Sequence, residues 1–133
     1  MNRHALRGGA LLLALLFLLP AVAVRAECPP SDLATARQAY DTAYAFVQQG
    51  KWNTAVRHLK EAVAACPEHW NSVELLAQAY LRTKQEDLAV EQYRNLVDGK
   101  FGGDLAAAEV RVLSGYGFAL LKAQDAAMGE KVY

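Results

Sequence analysis

Four side chains near the middle of the chain are of types that bind zinc. His58 and Glu61 are one helical turn apart, and Cys66 and His69 lie on either side of Pro67, so nitrogen, oxygen and sulfur ligands are all available. A small metal-dependent enzyme that uses the two histidines is therefore one interpretation. We favour the alternative that His58 packs as a half-exposed helix residue and that Cys66 forms a disulfide, and we expect no bound metal.

Other catalytic patterns are not found in the sequence. His58 and His69 are the histidines that remain once the N-terminal leader described below is removed, and the spacings typical of nucleophile elbows, zinc proteases and phosphate-binding loops are absent. The Gly-Tyr-Gly segment at 115–117 has no third glycine and no preceding strand, so close helix packing explains it better than a dinucleotide site does. The sequence therefore predicts no catalytic residue, no cofactor and a protein that is not an enzyme.

The chain has two cysteines, Cys28 and Cys66. An even number in an exported chain predicts a disulfide, and the weaker alternative is a pair of reactive or metal-bound thiols, since no Cys-x-x-Cys spacing is present. Cys28 precedes the first predicted helix and Cys66 ends the antiparallel second helix. Both cysteines should therefore lie at the same end of one helical hairpin.

Residues 1–26 have the three parts of a secretory signal: a basic start, an apolar run over 8–19, and small residues that end at Ala26. An uncleaved membrane anchor is the alternative, but the run is too short to span a bilayer unless it crosses Pro20. Glu27 argues against a lipoprotein signal at Cys28. The leader is typical of bacteria, so we expect cleavage after Ala26 and a secreted, periplasmic protein with no stable membrane span.

The composition is that of an ordinary globular domain, with 53% hydrophobic and 21% charged residues. The chain has 14 basic and 14 acidic residues, and removal of Arg3, Arg7 and Arg25 with the leader leaves 11 basic against 14 acidic, a net charge of about −3. No basic block remains after cleavage. The charge pattern therefore gives no indication of a nucleic-acid partner.

Beyond Ser31 the chain is rich in strong helix formers, has Pro67 as its one proline and shows no alternating strand pattern. Residues 27–35 lead into a first helix that has Ser31 as its N-cap and ends near Gln49. Gly50 suits the left-handed residue that follows a helix end. The mature chain should be almost entirely helical.

Short breaks separate the later helices. Cys66 and Pro67 stop the second helix, while Gly99 and the pair Gly102–Gly103 interrupt the middle of the chain. The helices after the first are predicted at about 52–65, 70–82, 86–97, 104–122 and from 125 to the end.

The strongest pattern is self-similarity at a step of about 34 residues. It pairs Ala43 with Ala77, Phe46 with Tyr80, Ala55 with Ala89, Leu59 with Tyr93 and Ala62 with Leu96. A further, longer step from Ala77 to Gly117 gives a third copy, which also contains Leu120, Gly129 and Tyr133. Small side chains let helices approach closely and bulky ones fill the remaining space, so the pattern predicts nested hairpins. A generic helical bundle is the alternative, but it need not keep a common step.

The motif order of the first copy is Ala43-x-x-Phe46, Gly50-x-Trp52, Ala55-x-x-x-Leu59-x-x-Ala62 and then Pro67. This order resembles a tetratricopeptide repeat (TPR). The second copy matches but has Lys84 where the first has Gly50, and the third stops partway through its second helix. The resemblance implies an all-α fold, an α-solenoid of antiparallel hairpins with about three repeats. The repeats would lie at about 36–69, 70–103 and 110–133, the last truncated.

In TPR arrays the first helices of successive hairpins line a concave groove that accepts a peptide or helix of another protein. The resemblance implies a groove of aromatic and cationic side chains, which suits an extended peptide with acidic groups. The clamp by which some TPR proteins hold chaperone carboxylates is not reproduced. The alternative is that these residues form a solvated face. The implied groove residues are Arg37, Tyr40, Tyr44, Asn71, Glu74, Gln78, Arg82, Arg111, Phe118 and Lys122.

The function that this resemblance implies is a non-catalytic scaffold or adaptor of the bacterial envelope with a protein or peptide partner. The alternative is the exported docking segment of a larger envelope enzyme or receptor. A repeat array usually ends in a helix with a polar outer face, and the C-terminal helix lacks one. We therefore expect self-association, a longer array or a partner to cover the apolar surface around Leu120, Met128 and Tyr133.

Overall fold

The computed structural model describes residues 27–130, which form five α-helices and, within that range, no strand. The predicted all-α class is confirmed. The predicted leader at 1–26 lies outside the described residues, and no helix within them is long and apolar enough to cross a membrane. The helices are α1 (Pro30–Gln48), α2 (Trp52–Ala65), α3 (Trp70–Arg82), α4 (Glu86–Lys100) and α5 (Val110–Glu130).

The first helix begins two residues earlier than predicted. Pro30 is its first residue and Pro29 is the N-cap, so Ser31 lies inside the helix and does not cap it. A proline suits the first helical position because its fixed φ is helical and because the N–H that it lacks would have no partner there. The prediction of Ser31 as the N-cap was wrong for this reason.

The fourth helix continues through Gly99, where a break was predicted. A Cβ atom at Gly99 would overlap the ring of Trp70 at the start of α3. This glycine therefore permits close packing of α4 on α3 and does not stop the helix. The break comes at Gly102 and Gly103, which have positive φ angles of 62° and 79°.

The last helix differs most from the prediction. Residues 104–109 are not helical: 105–107 form a turn, in which the Asp104 side chain accepts a hydrogen bond of 2.9 Å from the backbone N–H of Ala106, a bond that competes with helix formation. From Val110 the helix runs unbroken to Glu130, since 123–125 contain no residue that stops a helix. The predicted separate helices at 104–122 and from 125 were wrong, and no third hairpin is present within residues 27–130.

The turns after α1 and α3 have the same geometry and occupy equivalent positions in the first two copies of the repeat. After α1, the N–H groups of Gly50 and Lys51 donate to the carbonyls of Val47 and Phe46 at 2.9 Å each. After α3, Lys84 and Gln85 make the equivalent two bonds. This pattern is a Schellman motif, which needs a left-handed residue. Gly50 has a φ of 71°, and Lys84 holds a φ of 61° at the same place.

Helices pack in sequence along the chain. Each helix contacts the next one, and α3 also contacts α1 and α5. Within the described residues, the backbones of α1 and α2 do not contact those of α4 and α5, and α3 lies between the two pairs. The predicted small positions Ala43, Ala55, Ala77 and Ala89 are completely buried. Larger side chains, with Leu59 and Tyr93 among them, complete the core around these alanines.

The third copy of the repeat is out of the predicted register. Gly117 was predicted to pack inside but is exposed with open space around it, while Leu120, which was expected on an exposed apolar surface, is 45% exposed. The buried residues of α5 include Val112 and Ala119, which match Val73 and Tyr80 when the step is one residue shorter than predicted. A one-residue offset turns a helix by about 100°, which moves the predicted face out of the core. Gly129 and Tyr133 lie outside the residues whose packing is described.

The disulfide joins Cys28 and Cys66, as predicted, with the two Cα atoms 5.7 Å apart. Cys66 is buried with Ala36, Ala39 and Ala62 in a small cluster between α1 and α2. The bond therefore ties the segment before α1 to the residue after α2. It closes one end of the first hairpin.

Replacement of both cysteines with serine is expected to lower the free energy of unfolding by about 4 kcal/mol, because the 38-residue loop regains its entropy in the unfolded chain. Urea denaturation followed by tryptophan fluorescence measures this change. Intact mass after alkylation, with and without prior reduction, is the control. Two free thiols in the unreduced exported protein would contradict the pairing.

Lys84→Gly is expected to raise the free energy of unfolding by about 1 kcal/mol, because glycine adopts a left-handed conformation without the steric cost of a Cβ. The matched change Gly50→Ala should lower it by a similar amount. Thermal unfolding of the three proteins gives the comparison. A neutral or destabilising Lys84→Gly would show that the lysine side chain stabilises the turn in some other way.

Candidate functional site

Two adjoining cavities contain most of the predicted groove residues. The cavities have volumes of about 670 and 280 Å³, and they share Gln78 and Arg111. Eight of the ten predicted residues line one or both of them: Tyr40, Tyr44, Asn71, Glu74, Gln78, Arg82, Arg111 and Phe118. We call this surface, formed mainly by α1, α3 and α5, the groove. Arg37 and Lys122 do not line either cavity, and a role for any of the ten in binding stays a prediction.

An ion pair between α3 and α5 separates the two cavities. Arg111 donates to both carboxylate oxygens of Glu74, over 2.6 Å from Nε and 3.1 Å from Nη2, and Nη2 also reaches Glu109 at 3.1 Å. The hydrogen bond to Glu74 raises the pKa of Arg111 further above its usual value. Glu74 is buried and Arg111 is largely exposed. Arg111, one of the cations predicted for the groove, is thus already paired with carboxylates of this chain.

Aromatic rings form the wall of the smaller cavity. Tyr40 and Tyr44, one helical turn apart on α1, stack with ring centroids 6.2 Å apart, and His69 meets Tyr40 edge-on at 5.6 Å. Burial raises the pKa of Tyr40, and the nearby Tyr44 and Glu74 raise it further. Tyr44 is 47% exposed. This wall therefore offers flat aromatic area beside the amide of Asn71.

Cations and aromatics form the wall of the larger cavity. The guanidinium carbon of Arg82 lies 5.4 Å above the centroid of the Trp52 ring, a cation–π contact. Phe118 lies on the opposite helix, with the ammonium of Lys122 at 5.6 Å from its ring centroid. Among the described residues, Arg82 and Lys122 form no ion pair. These cations are thus available to an acidic ligand.

Five residues of the larger cavity were not predicted. They lie outside the positions on the first helix of each repeat from which the groove was predicted. Trp52 belongs to α2 and Lys84 to a turn, so a rule that takes first helices alone omits both. The one signal in the sequence that could have indicated Lys84 is that it stands where the first copy has Gly50, but this difference was interpreted only as a departure from the repeat. The five are Trp52, Leu81, Lys84, Tyr93 and Gly115.

Tyr93 and Gly115 form the floor of the larger cavity. A Cβ atom at Gly115 would overlap the phenol of Tyr93, and Tyr116 stacks on the same ring with centroids 6.1 Å apart. Burial, together with the charge of Glu74, raises the pKa of Tyr93 to about 12. The close helix packing predicted for this segment therefore holds at Gly115, while Gly117 has open space around it.

The four candidate zinc ligands have other contacts. His58 stacks on Phe46 with ring centroids 5.5 Å apart, and its Nδ1 lies 3.6 Å from Oε2 of Glu61. Cys66 is in the disulfide. His69 shares a 2.7 Å hydrogen bond with Ser72, and burial lowers its pKa, as does the charge of Arg37. Within the described residues, no three histidine, cysteine or acidic side chains are grouped so that they could hold a metal ion.

No protein-family model and no curated protein matches the chain. The functional argument therefore depends on the geometry and chemistry of the groove.

Gly115→Ala is expected to lower the free energy of unfolding by about 1 to 3 kcal/mol, because the added methyl overlaps the Tyr93 phenol and forces the helices apart. Gly117→Ala, two residues away on α5, is the matched control. It has open space, so helix propensity alone acts and the free energy of unfolding should rise by up to about 1 kcal/mol. Equal effects of the two substitutions in urea denaturation would contradict the described packing of α5 on Tyr93.

Proposed function

We propose that this chain is a TPR-like α-solenoid that acts as a non-catalytic adaptor and binds a peptide or helix of another protein in the groove. The observation that carries the proposal is that eight predicted groove residues, from α1, α3 and α5, line two adjoining cavities. These helices are far apart in the sequence. A surface assembled from successive hairpins is the form in which repeat arrays present binding sites.

The order of helix contacts supports the solenoid. Each helix packs on its neighbours along the chain, and α3 bridges α1 and α5, as expected when hairpins are added in one direction. The Schellman turns at Gly50 and Lys84 recur at the step of the sequence repeat, as do the buried alanines Ala43 and Ala77. The repeat count that fits is two hairpins followed by α5 as the first helix of a third unit.

The side chains of the groove suit a polypeptide better than a small reactive substrate. Tyr44 and Phe118 offer large apolar area at low conformational cost, and both are about half exposed. Asn71 and Gln78 place amides between these aromatics, and amides can pair with both the N–H and the carbonyl of a bound backbone. The groove thus combines apolar anchors with general backbone recognition.

The cellular location that we propose is the bacterial periplasm. The Cys28–Cys66 bond supports an oxidising compartment, since such bonds are rare in the reducing cytosol. The secretory pattern of residues 1–26 agrees with this location.

A second role, as the docking segment of a larger protein or of a longer array, is favoured by the outer face of α5. Leu120, Leu121 and Met128 are 45%, 62% and 52% exposed on that helix. An exposed apolar helix face is typical of a surface that another element covers. In this role the groove would still hold the partner, and α5 would join the chain to further helices or to a second copy.

Site-specific photo-crosslinking in exporting cells tests the adaptor function. A photoreactive amino acid in place of Tyr44 or Gln78 is expected to give discrete higher-mass adducts, because both positions line the groove. The same amino acid in place of the exposed Lys60 on α2, which lines neither groove cavity, is the control and should give none. Adducts at Lys60 equal to those at Tyr44, or no adducts at either groove position, would contradict the proposal.

A further inference from the structure

A cluster of cations lies at the edge of the groove, around the Trp52 indole. A third cavity of about 570 Å³ shares Trp52, Arg82 and Lys84 with the larger groove cavity, and Lys51 lines its other side. Arg82 lies over the indole, and the ammonium of Lys51 is 5.9 Å from the ring centroid of Phe46. We call Lys51, Trp52, Arg82 and Lys84 the cationic edge.

The cations of the cationic edge are not in ion pairs within the described part of the chain, although Glu86 and Asp87 share a separate cavity with Lys84. Lys51, Arg82 and Lys84 form no ion pair there, and no acidic residue lines either of the two cavities that meet at this edge. By contrast, Arg111 and Lys100 are paired with Glu74 and Glu109. The chain without its leader has a net charge of about −3, so the grouping of these three cations is a local concentration of positive charge.

The backbone at Lys84 shows that a lysine is held here against its conformational preference. The turn is the same as the one at Gly50, where glycine adopts the left-handed φ without strain, yet Lys84 has a φ of 61°. Non-glycine residues in this region cluster at places where the side chain is needed. Lys84 lines both cavities of the cationic edge.

We propose that the cationic edge binds an acidic segment of the partner polypeptide in which a carboxylate is adjacent to a large apolar side chain. The apolar side chain enters the 670 Å³ cavity between Leu81 and Phe118, and the carboxylate pairs with Arg82 and Lys84. This inference rests on the proposed function, because it specifies which peptide the groove accepts.

The geometry favours an acidic peptide over other anions. Contact with the indole restrains the Arg82 guanidinium before a ligand arrives, so less side-chain entropy is lost when its N–H groups pair with a carboxylate. The adjoining 670 Å³ cavity has room for a side chain and is lined in part by Leu81 and Phe118, an apolar contact that inorganic phosphate does not need. The negative net charge of the chain opposes a long polyanion such as a nucleic acid.

Selection of random dodecapeptides displayed on phage, with the disulfide-bonded chain from Glu27 onward as the target, tests the proposal. We expect the selected peptides to be enriched in aspartate or glutamate next to an aromatic or leucine. Synthetic copies of the selected peptides are then measured by fluorescence anisotropy against Arg82→Gln, Lys84→Gly and the control Lys60→Ala. Lys84→Gly is the decisive variant, since it removes the charge and is expected to stabilise the turn; its thermal unfolding, measured alongside, shows whether the fold is intact when binding is lost.

The expected result is binding weakened by about tenfold in Arg82→Gln and in Lys84→Gly, and changed by less than about twofold in Lys60→Ala. Competition by inorganic phosphate at millimolar concentration should be weak. Selected peptides without acidic enrichment that still lose binding in Tyr44→Ala would overturn the cationic edge and leave the adaptor function in place. Displacement by phosphate alone would also overturn it, and failure to select any binding peptide would count against both proposals.

Discussion

The close approach of the two helices in each hairpin is the constraint on which the rest of the structure depends. Ala43 and Ala55 in the first hairpin, and Ala77 and Ala89 in the second, have no exposed surface and carry nothing larger than a methyl group. Bulkier side chains at these places would force the helices apart at the cost typical of an overpacked core. Because the hairpins are this narrow, α3 can contact both α1 and α5, and the cavities of the groove open where these three helices meet.

The parts of the fold that could be predicted from the sequence are those set by neighbouring residues. Gly50 ends a helix through its own backbone freedom, and the bounds of α3 follow from local stop signals. Gly99 was misjudged because the reason for it, the ring of Trp70, belongs to the preceding helix and is distant in the sequence. The register of α5 depends on how the chain turns between Gly103 and Val110, and the step of the repeat does not encode the local hydrogen bonds of that turn, such as the one from the Ala106 N–H to the Asp104 side chain.

The candidate site also has a part that the sequence could predict and a part that it could not. A register carried over from a repeat family placed eight side chains on one surface, because each is fixed by the helix it belongs to. The repeat register does not show which charged side chains of the groove already form ion pairs with each other. Glu74 and Arg111 come from different helices and neutralise each other, whereas Arg82 rests on an aromatic ring and keeps its charge available. Pairing is a property of three-dimensional neighbours, and it separates two arginines that look equivalent in the sequence.

The Cys28–Cys66 bond makes the two ends of the helix array different, because it crosslinks only one of them. It crosslinks α1 and α2, while α5 is held by its packing on α4 and α3 alone among the described helices. Amide hydrogens in such an array exchange through partial opening, and segments with few buried apolar contacts and no crosslink open first. Opening that begins at α5 would expose the Phe118 side of the groove while the crosslinked hairpin keeps Tyr40 and Tyr44 in place. The amide hydrogens on the two sides of the groove would thus exchange with solvent on different timescales.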